Sequence, residues 1–391
     1  MSRIAIVEGC RTPFIKAFAD FNDVPSKELA RTAFGQLLQK TNLPPDEVDE
    51  LIVGTVATTT DSVNIARVVS VLIGLPVEKS AVTVCRNCAS GVESVAAASE
   101  KIMSGNAKTV LAGGTESMSN VPFLFHKKIQ DFFVRLPKMK WHEKLQNFWH
   151  IKGLFFQPVI GLKEALSDPL CGLNMGETAE ILVQEFGISR REQDEFALMS
   201  HLRAAKSRLF LKEEIVPVYL PPAYKKVIQE DNGIRENQSL EALAKLKPFF
   251  DRRSGTVTAG NSSQITDGAC ALLVMGEDHA KSLGYEPLGI IRSYVFVGVE
   301  PRRMGLGPAY AIPLALKKAG PSFQDIELFE INEAFAAQVI ACERALASES
   351  FCRSQLGLGG PLGVLNRERL NVNGGAIALG HPVGHREAVL S

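Results

Sequence analysis

Cys88 is the first residue with the means to do covalent chemistry. It lies in RNCASG, between a strand-like run and a helical pattern that begins near Gly91. At such a junction the backbone N–H groups and the positive end of the helix dipole favour a thiolate. The small neighbours Ala89, Ser90 and Gly91 would let a carbonyl approach the backbone. A buried structural cysteine is the competing reading. Cys85 completes a CxxC with Cys88, but no second cysteine pair or histidine pair accompanies it, so a zinc site is poorly supported. A dithiol stays open.

His381, in NGGAIALGHPVG, lies in a glycine-rich turn that can approach a ligand closely, and imidazole is a natural base for a thiol. A structural loop histidine is the alternative. Asn332 and Glu333, in INEAF, follow a strand-like run, where polar side chains of α/β proteins face a ligand crevice or cap a helix. The stretch GTVTAGNSSQITDGA (255–269) suits close backbone approach to a cofactor, or a polar connecting loop.

The elements that must position these residues alternate short β-branched runs with helical patterns, an α/β arrangement. Strands are expected at 3–7, 51–56, 83–85, 109–112, 271–275, 288–292 and 328–331. Helices are expected at 26–41, 91–104, 176–186, 189–210 and 309–319, the fourth opening on a capping box formed by Ser189 and Glu192. Segment 37–54 lies over 315–332 at an offset of 278, each reading as helix, acidic loop, then strand. A duplicated α/β half would give that pattern.

With 391 residues the chain can bury more than one layered unit. Its 43 basic and 43 acidic residues give no global charge that would point to nucleic acid. Seven scattered cysteines read as reduced thiols. A run long enough to span a membrane is missing, and the N-terminus has no leader-like composition, so a cytoplasmic location is expected. One stretch differs in texture: residues 121–163 carry eight Lys/Arg against two acids, both tryptophans and seven of the 21 phenylalanines. Lys127, Lys128, Arg135, Lys138, Lys140 and Lys144, interleaved with Trp141 and Trp149, suit an interfacial segment that meets a partner or anionic headgroups, peripherally on the inner face of the membrane. A solvated lid is the plainer reading.

RNCASG, AGGTESMS (112–119), MGETAE (175–180), the 255–269 stretch, NEAF and NGGAIALGHP, taken in that order, resemble the thiolase family over almost the whole chain, from RTPF (11–14) to HPVG (381–384). The basic insertion, with 231–250 and 351–362, is most similar to the thiolase (beta) subunit of the fatty-acid β-oxidation trifunctional complex. The resemblance implies a duplicated fold in α-β-α-β-α layers. Residues 1–120 would form the N-terminal half, completed by about 255–280. Residues 121–254 would form a loop domain, and 281–391 the C-terminal half.

It also implies degradative 3-ketoacyl-CoA cleavage with coenzyme A as co-substrate and no metal or redox cofactor. Cys88 would take the shortened acyl chain as a thioester. His381 would activate the thiol and help hold the thioester oxygen, and Asn332 would fix a water in that oxyanion hole. Met175, Ala259, Ser263, Phe335 and Gly380 would line the CoA and acyl groove. Expected partners are a second copy or higher oligomer and the hydratase/dehydrogenase subunit, with membrane contact. Acetoacetyl-CoA condensation, or a non-catalytic remnant that binds CoA, membrane or partner, are the alternatives. The family pattern continues past HPxG to a second cysteine in a CxGGG-like segment, whereas HREAVLS follows Gly384 here. An incomplete C-terminal half is therefore expected, with a frame change after codon 384 as its suggested origin and weak thiolysis as its consequence.

Overall fold

The computed structural model describes residues 3–382. Its centre is a seven-stranded mixed sheet built from β1 (Ile4–Arg11), β2 (Glu50–Gly54), β3 (Ser80–Val84), β4 (Thr109–Glu116), β5 (Thr266–Gly276), β6 (Gly289–Ile291) and the two-residue strand Ile15–Lys16. The order is β6-β1-β5-β4-β2-β3, with Ile15–Lys16 pairing β5. β2 runs parallel to both β3 and β4, whereas β5 lies antiparallel between β1 and β4.

Strict alternation along these strands sends side chains to two separate cores. Leu51, Val53, Leu111, Ala271 and Leu273 face one side and pack with Leu29, Phe34 and Leu37 of α1 (Ser26–Thr41) and with Val69 of α2 (Ile65–Leu72). Ile52, Val110, Ala112, Leu272 and Val274 face the other, against Ala98 and Ile102 of α3 (Ser90–Met103). This layering is why the central strands read as continuous apolar runs.

Residues 121–163 contain α4 (Lys127–Arg135) and α5 (Trp141–Ile151), which bury only a small cluster of Ile129, Phe132 and Ile151. Beyond them, α6 (Met175–Phe186) and α7 (Arg190–Lys206) each begin with a capping box, from Asn174 and Ser189. The helix expected over 189–210 breaks at Ser207, and α8 (Arg208–Glu214) follows. A buried Arg11 guanidinium pairs bidentately with Asp231 at 2.7 and 2.9 Å and also binds Glu214 at 2.5 Å, tying this region to β1.

The C-terminal half packs α9 (Gly307–Ala319), α10 (Ala336–Ala347) and α11 (Glu349–Leu356) against α6 and α7 around Phe196, Ile340 and Leu346. The strand expected at 328–331 is here an extended stretch joined to Leu370 by a single bridge at Phe329. One bridge gives two backbone hydrogen bonds, Phe329 N to Arg369 O and Asn371 N to Phe329 O, each 2.8 Å. Without further neighbours no sheet propagates among the described residues, and Leu328 is left 56% exposed.

Candidate active site

Cys88 sits where the sequence placed it, between the end of β3 and the start of α3, and is exposed. Two overlapping turns hold it: Ala89 N donates to Arg86 O at 3.0 Å, and Ser90 N to Asn87 O at 3.1 Å. Asn87 takes the left-handed conformation (φ 47°), which its short polar side chain tolerates. The Ser90 hydroxyl closes the turn by donating to Asn87 O at 2.6 Å and accepting from Arg86 N at 2.9 Å. The start of α3 lies directly on the end of β2: a Cβ on Gly54 would meet Ser90 O at 2.4 Å. Arg86 pairs with Glu93 and stacks 4.0 Å over Phe296, so the turn is also tied to the stretch entering the C-terminal half.

His381 is 6% exposed and follows α12 (Ala376–Leu379) through Gly380, whose φ of 98° suits glycine. A Cβ there would lie 2.2 Å from Thr266 Cγ2. Gln264 anchors this turn, because its Nε2 donates to the carbonyls of Gly233, Ile377 and Ala378 at 2.9–3.2 Å while its backbone oxygen accepts from His381 N at 3.2 Å. His381 also bridges to Ile265. The same loop holds INEAF: Ser263 N donates to Ala334 O, Ala336 N donates to Asn261 O (each 2.9 Å), and Ser262 bridges to Phe335. The stretch 255–266 thus brings Asn332, Phe335 and His381 into one neighbourhood.

Glu333 is the post beneath it. This fully buried carboxylate accepts from Ser200 Oγ on α7 (2.6 Å), Asn371 Nδ2 (2.9 Å) and Ile377 N (3.1 Å). Gly375 passes so close that an added Cβ would fall 2.0–2.4 Å from the carboxylate. Asn371 in turn exchanges hydrogen bonds with both backbone groups of Ile331, at 2.8 and 2.9 Å. Asn332, next to this post, has a buried Oδ1 with no hydrogen-bond partner among the described residues.

The cysteine turn and the histidine turn leave the same edge of the sheet. The C-terminal ends of β3, β2 and β4 align there (Val84↔Gly54↔Gly114), and the pairing of β5 with β4 begins there, with Gly268 beside Glu116. Two buried carboxylates underlie this edge. Glu116 accepts from Val56 N, Ala57 N and Thr55 Oγ1 at 2.9–3.3 Å, and Thr55 N reaches Val84 O at 3.2 Å. Burial pushes Glu116 up to about 7, with the Asp267 charge adding to the rise. Asp267 accepts from Ser119 N and Oγ, and burial takes it up to about 6 against those hydrogen bonds. Glu116 lies within AGGTESMS, where an acid among small residues at a strand end is the sequence signal for this role.

Of the groove positions, Met175 packs against the cluster containing Phe335, and Phe250 meets Phe335 edge-on at 5.8 Å between ring centroids. Ser263 is half-buried, Ala259 exposed and Gly380 buried. In the insertion, Trp141 and Trp149 are 77% and 57% exposed. Lys127, Lys128, Arg135, Lys138 and Lys140 are exposed, and Lys144 is half-buried. Lys127 pairs with Asp131, and Lys152 lies 3.7 Å over the Trp149 ring.

These motifs and this architecture belong together. The N-terminal domain model of thiolases matches residues 4–278 and the C-terminal domain model matches 285–390: the chain belongs to the thiolase family and has its duplicated α/β fold. It is 42% identical over 384 residues to a 3-ketoacyl-CoA thiolase of Pectobacterium carotovorum, covering 97% of this chain and 87% of that protein. To a 3-ketoacyl-CoA thiolase of Escherichia coli O1:K1 / APEC it is 41% identical with the same coverage. Human mitochondrial 3-ketoacyl-CoA thiolase superposes with a TM-score of 0.84 at 34% identity, covering 99% of this chain and 90% of that one. The acetyl-CoA acetyltransferase of Bacillus anthracis does so with a TM-score of 0.84 at 35% identity and the same coverage. The expectation of a truncated C-terminal half gains no support, since the C-terminal model runs to residue 390. Residues 383–391, on which that expectation falls, lie outside the described ones.

Proposed function

We propose that the chain is an acetyl-CoA C-acyltransferase that cleaves 3-ketoacyl-CoA with coenzyme A in fatty-acid β-oxidation. The observation that carries this is the pairing of a cysteine turn at a helix N-terminus with a histidine turn at the same sheet edge. It is joined by near-full-length similarity to 3-ketoacyl-CoA thiolases.

In this reading the Cys88 sulfur, relieved of its proton by His381, attacks the 3-keto carbon. The bond to the two-carbon unit breaks, its carbanion takes up one proton, balancing the one Cys88 gave up, and leaves as acetyl-CoA, and the shortened acyl chain stays on Cys88. A coenzyme A thiol then takes that acyl group. Splitting one hard carbon–carbon cleavage into two acyl transfers is what the covalent intermediate achieves. The Cys88 backbone N–H serves the attacked carbonyl. The buried Asn332 Oδ1 is suited to holding a water that, with His381, serves the thioester oxygen. Met175, Ala259, Ser263, Phe335 and Gly380 line the groove for the CoA and acyl chain. No metal or redox cofactor is required, and coenzyme A is a co-substrate.

Thiolysis of 3-ketoacyl-CoA substrates from four carbons upward tests the assignment. Turnover that rises with chain length supports the degradative role. Turnover confined to acetoacetyl-CoA supports the condensing alternative, which the equal structural likeness to an acetyl-CoA acetyltransferase keeps in play. Acyl-CoA binding with no acylation of Cys88 would mark a binding remnant.

Among the described residues β3 is the outermost strand at its end of the sheet, and an edge strand that can take a partner strand supports a homodimer or higher assembly. The basic aromatic face of 121–163 supports docking to the hydratase/dehydrogenase subunit and peripheral contact with the inner face of the membrane. Among the described residues no helix is long and apolar enough to cross a membrane.

A further inference from the structure

We propose that Cys85 and Cys88 form a reversible disulfide across the strand-to-helix turn, making this turn an oxidation site that takes peroxides and silences the nucleophile. Cys85 has no part in the acyl-transfer steps, yet it is exposed and stands three residues from the exposed Cys88. A disulfide needs Cα atoms within about 7 Å. An extended chain would place them roughly 10 Å apart. This chain is not extended between them: the hydrogen bonds from Ala89 N to Arg86 O and from Ser90 N to Asn87 O, with Asn87 left-handed, curl the residues from Arg86 onward, so Cys88 lies inside the turn that follows Cys85.

The other thiols do not compete. Cys10, Cys270, Cys342 and Cys352 are buried, and burial pushes the first three up to about 12; Cys171 is half-buried. A thiolate, not a thiol, is the reacting form, and the start of α3 favours it at Cys88. The Cys88 sulfur attacks one peroxide oxygen; the S–O bond forms, the O–O bond breaks, and hydroxide leaves to become water. Cys88 is then a sulfenic acid, oxidised by two electrons. The Cys85 sulfur, losing its proton, attacks the Cys88 sulfur; the S–S bond forms, the S–O bond breaks, and a second water leaves. An added dithiol reverses the product by exchange. The loss of turnover rests on the acyl-transfer reading of Cys88; the disulfide itself does not.

Trypsin cuts after Arg86, so the two sulfurs fall on separate peptides, 80–86 and 87–101. The test treats the full chain with hydrogen peroxide, blocks remaining thiols and maps the digest without reductant. The expected result is one cross-linked species joining these peptides, removed by dithiothreitol, with thiolysis lost and restored in parallel. Cys85→Ser should keep thiolysis near the parent level. In that variant peroxide should drive peptide 87–101 to a sulfinate or sulfonate that dithiothreitol does not reverse. A Cys88 sulfonate in the parent chain without the cross-link would overturn the proposal. So would a Cys88 disulfide to any other cysteine, or full recovery of the Cys88 thiol in Cys85→Ser. Because the mapping needs no turnover, an inactive chain that still forms the cross-link would count against the thiolase reading alone.

Discussion

Glu333 decides where His381 can be. Its buried carboxylate accepts from three donors on separate segments, one of them the helix that ends just before the histidine turn. Glu333→Ala strands the Asn371 amide, the Ser200 hydroxyl and the Ile377 N–H, each costing about 1–3 kcal/mol when left unpaired. We expect a lower midpoint in thermal melts and a fall in thiolysis larger than the fall in folded fraction; unchanged melting would refute this role. Glu116 makes a different demand. Its folded value of about 7 lies above its ordinary 4.5, so the folded state binds the proton more tightly. The stability it contributes is fully present below pH 4.5 and is lost as pH rises to about 7. Melting of the parent chain relative to Glu116→Gln should therefore worsen across that window. A difference that stays constant with pH would mean the carboxyl does not titrate there. Asp267 titrates nearby, up to about 6, but is common to both proteins and cancels in the comparison to first order.

At the scale of elements, the site is a set of turns clamped onto strand ends. Gly54 and Gly375 mark two close approaches, one under the cysteine turn and one under the histidine turn. In Gly54→Ala, the added Cβ must move Ser90 backbone, which has no flexible end to yield, so the start of α3 should shift with it. Alkylation of Cys88 by iodoacetamide should change rate in this variant, while a surface change such as Gly105→Asn should leave it alone; equal rates for both would argue against the clamp. Much of this was readable. The helix at 26–41, the strand end carrying RNCASG, and the Gly-rich turn before His381 all follow from periodicity and punctuation. What the residue pattern could not supply was long-range: that Gln264 holds the His381 turn, or that Glu116 holds residues 55–57. Such bonds join segments tens to hundreds of residues apart and leave no local periodicity. The residue types at 328–331 fit a strand, but strand formation needs neighbours, and this stretch has a single bridge.

For the whole molecule, a sheet layered between two helical cores supplies the rigid edge on which both turns stand. The insertion 121–163 contributes little to either core and keeps both tryptophans and most of its phenylalanines outside. Its cost in exposed apolar surface is consistent with a role at an interface. Co-sedimentation with anionic vesicles should fall when Lys127, Lys138 and Lys140 are changed to Glu. Binding that is absent, or indifferent to those changes, would count against the membrane as what this face meets. Either result leaves the chemistry at the sheet edge untouched.

The central claim is that Cys88 carries the acyl group. Full-length protein mixed with a 3-ketoacyl-CoA, without added coenzyme A, and quenched in acid should yield peptide 87–101 heavier by the shortened acyl chain. Cys88→Ser should give none under the same quench, and His381→Ala should form the adduct at least about 100-fold more slowly, the scale of a lost general base. An unmodified 87–101 peptide, or an acyl group found elsewhere in the chain, would contradict the account.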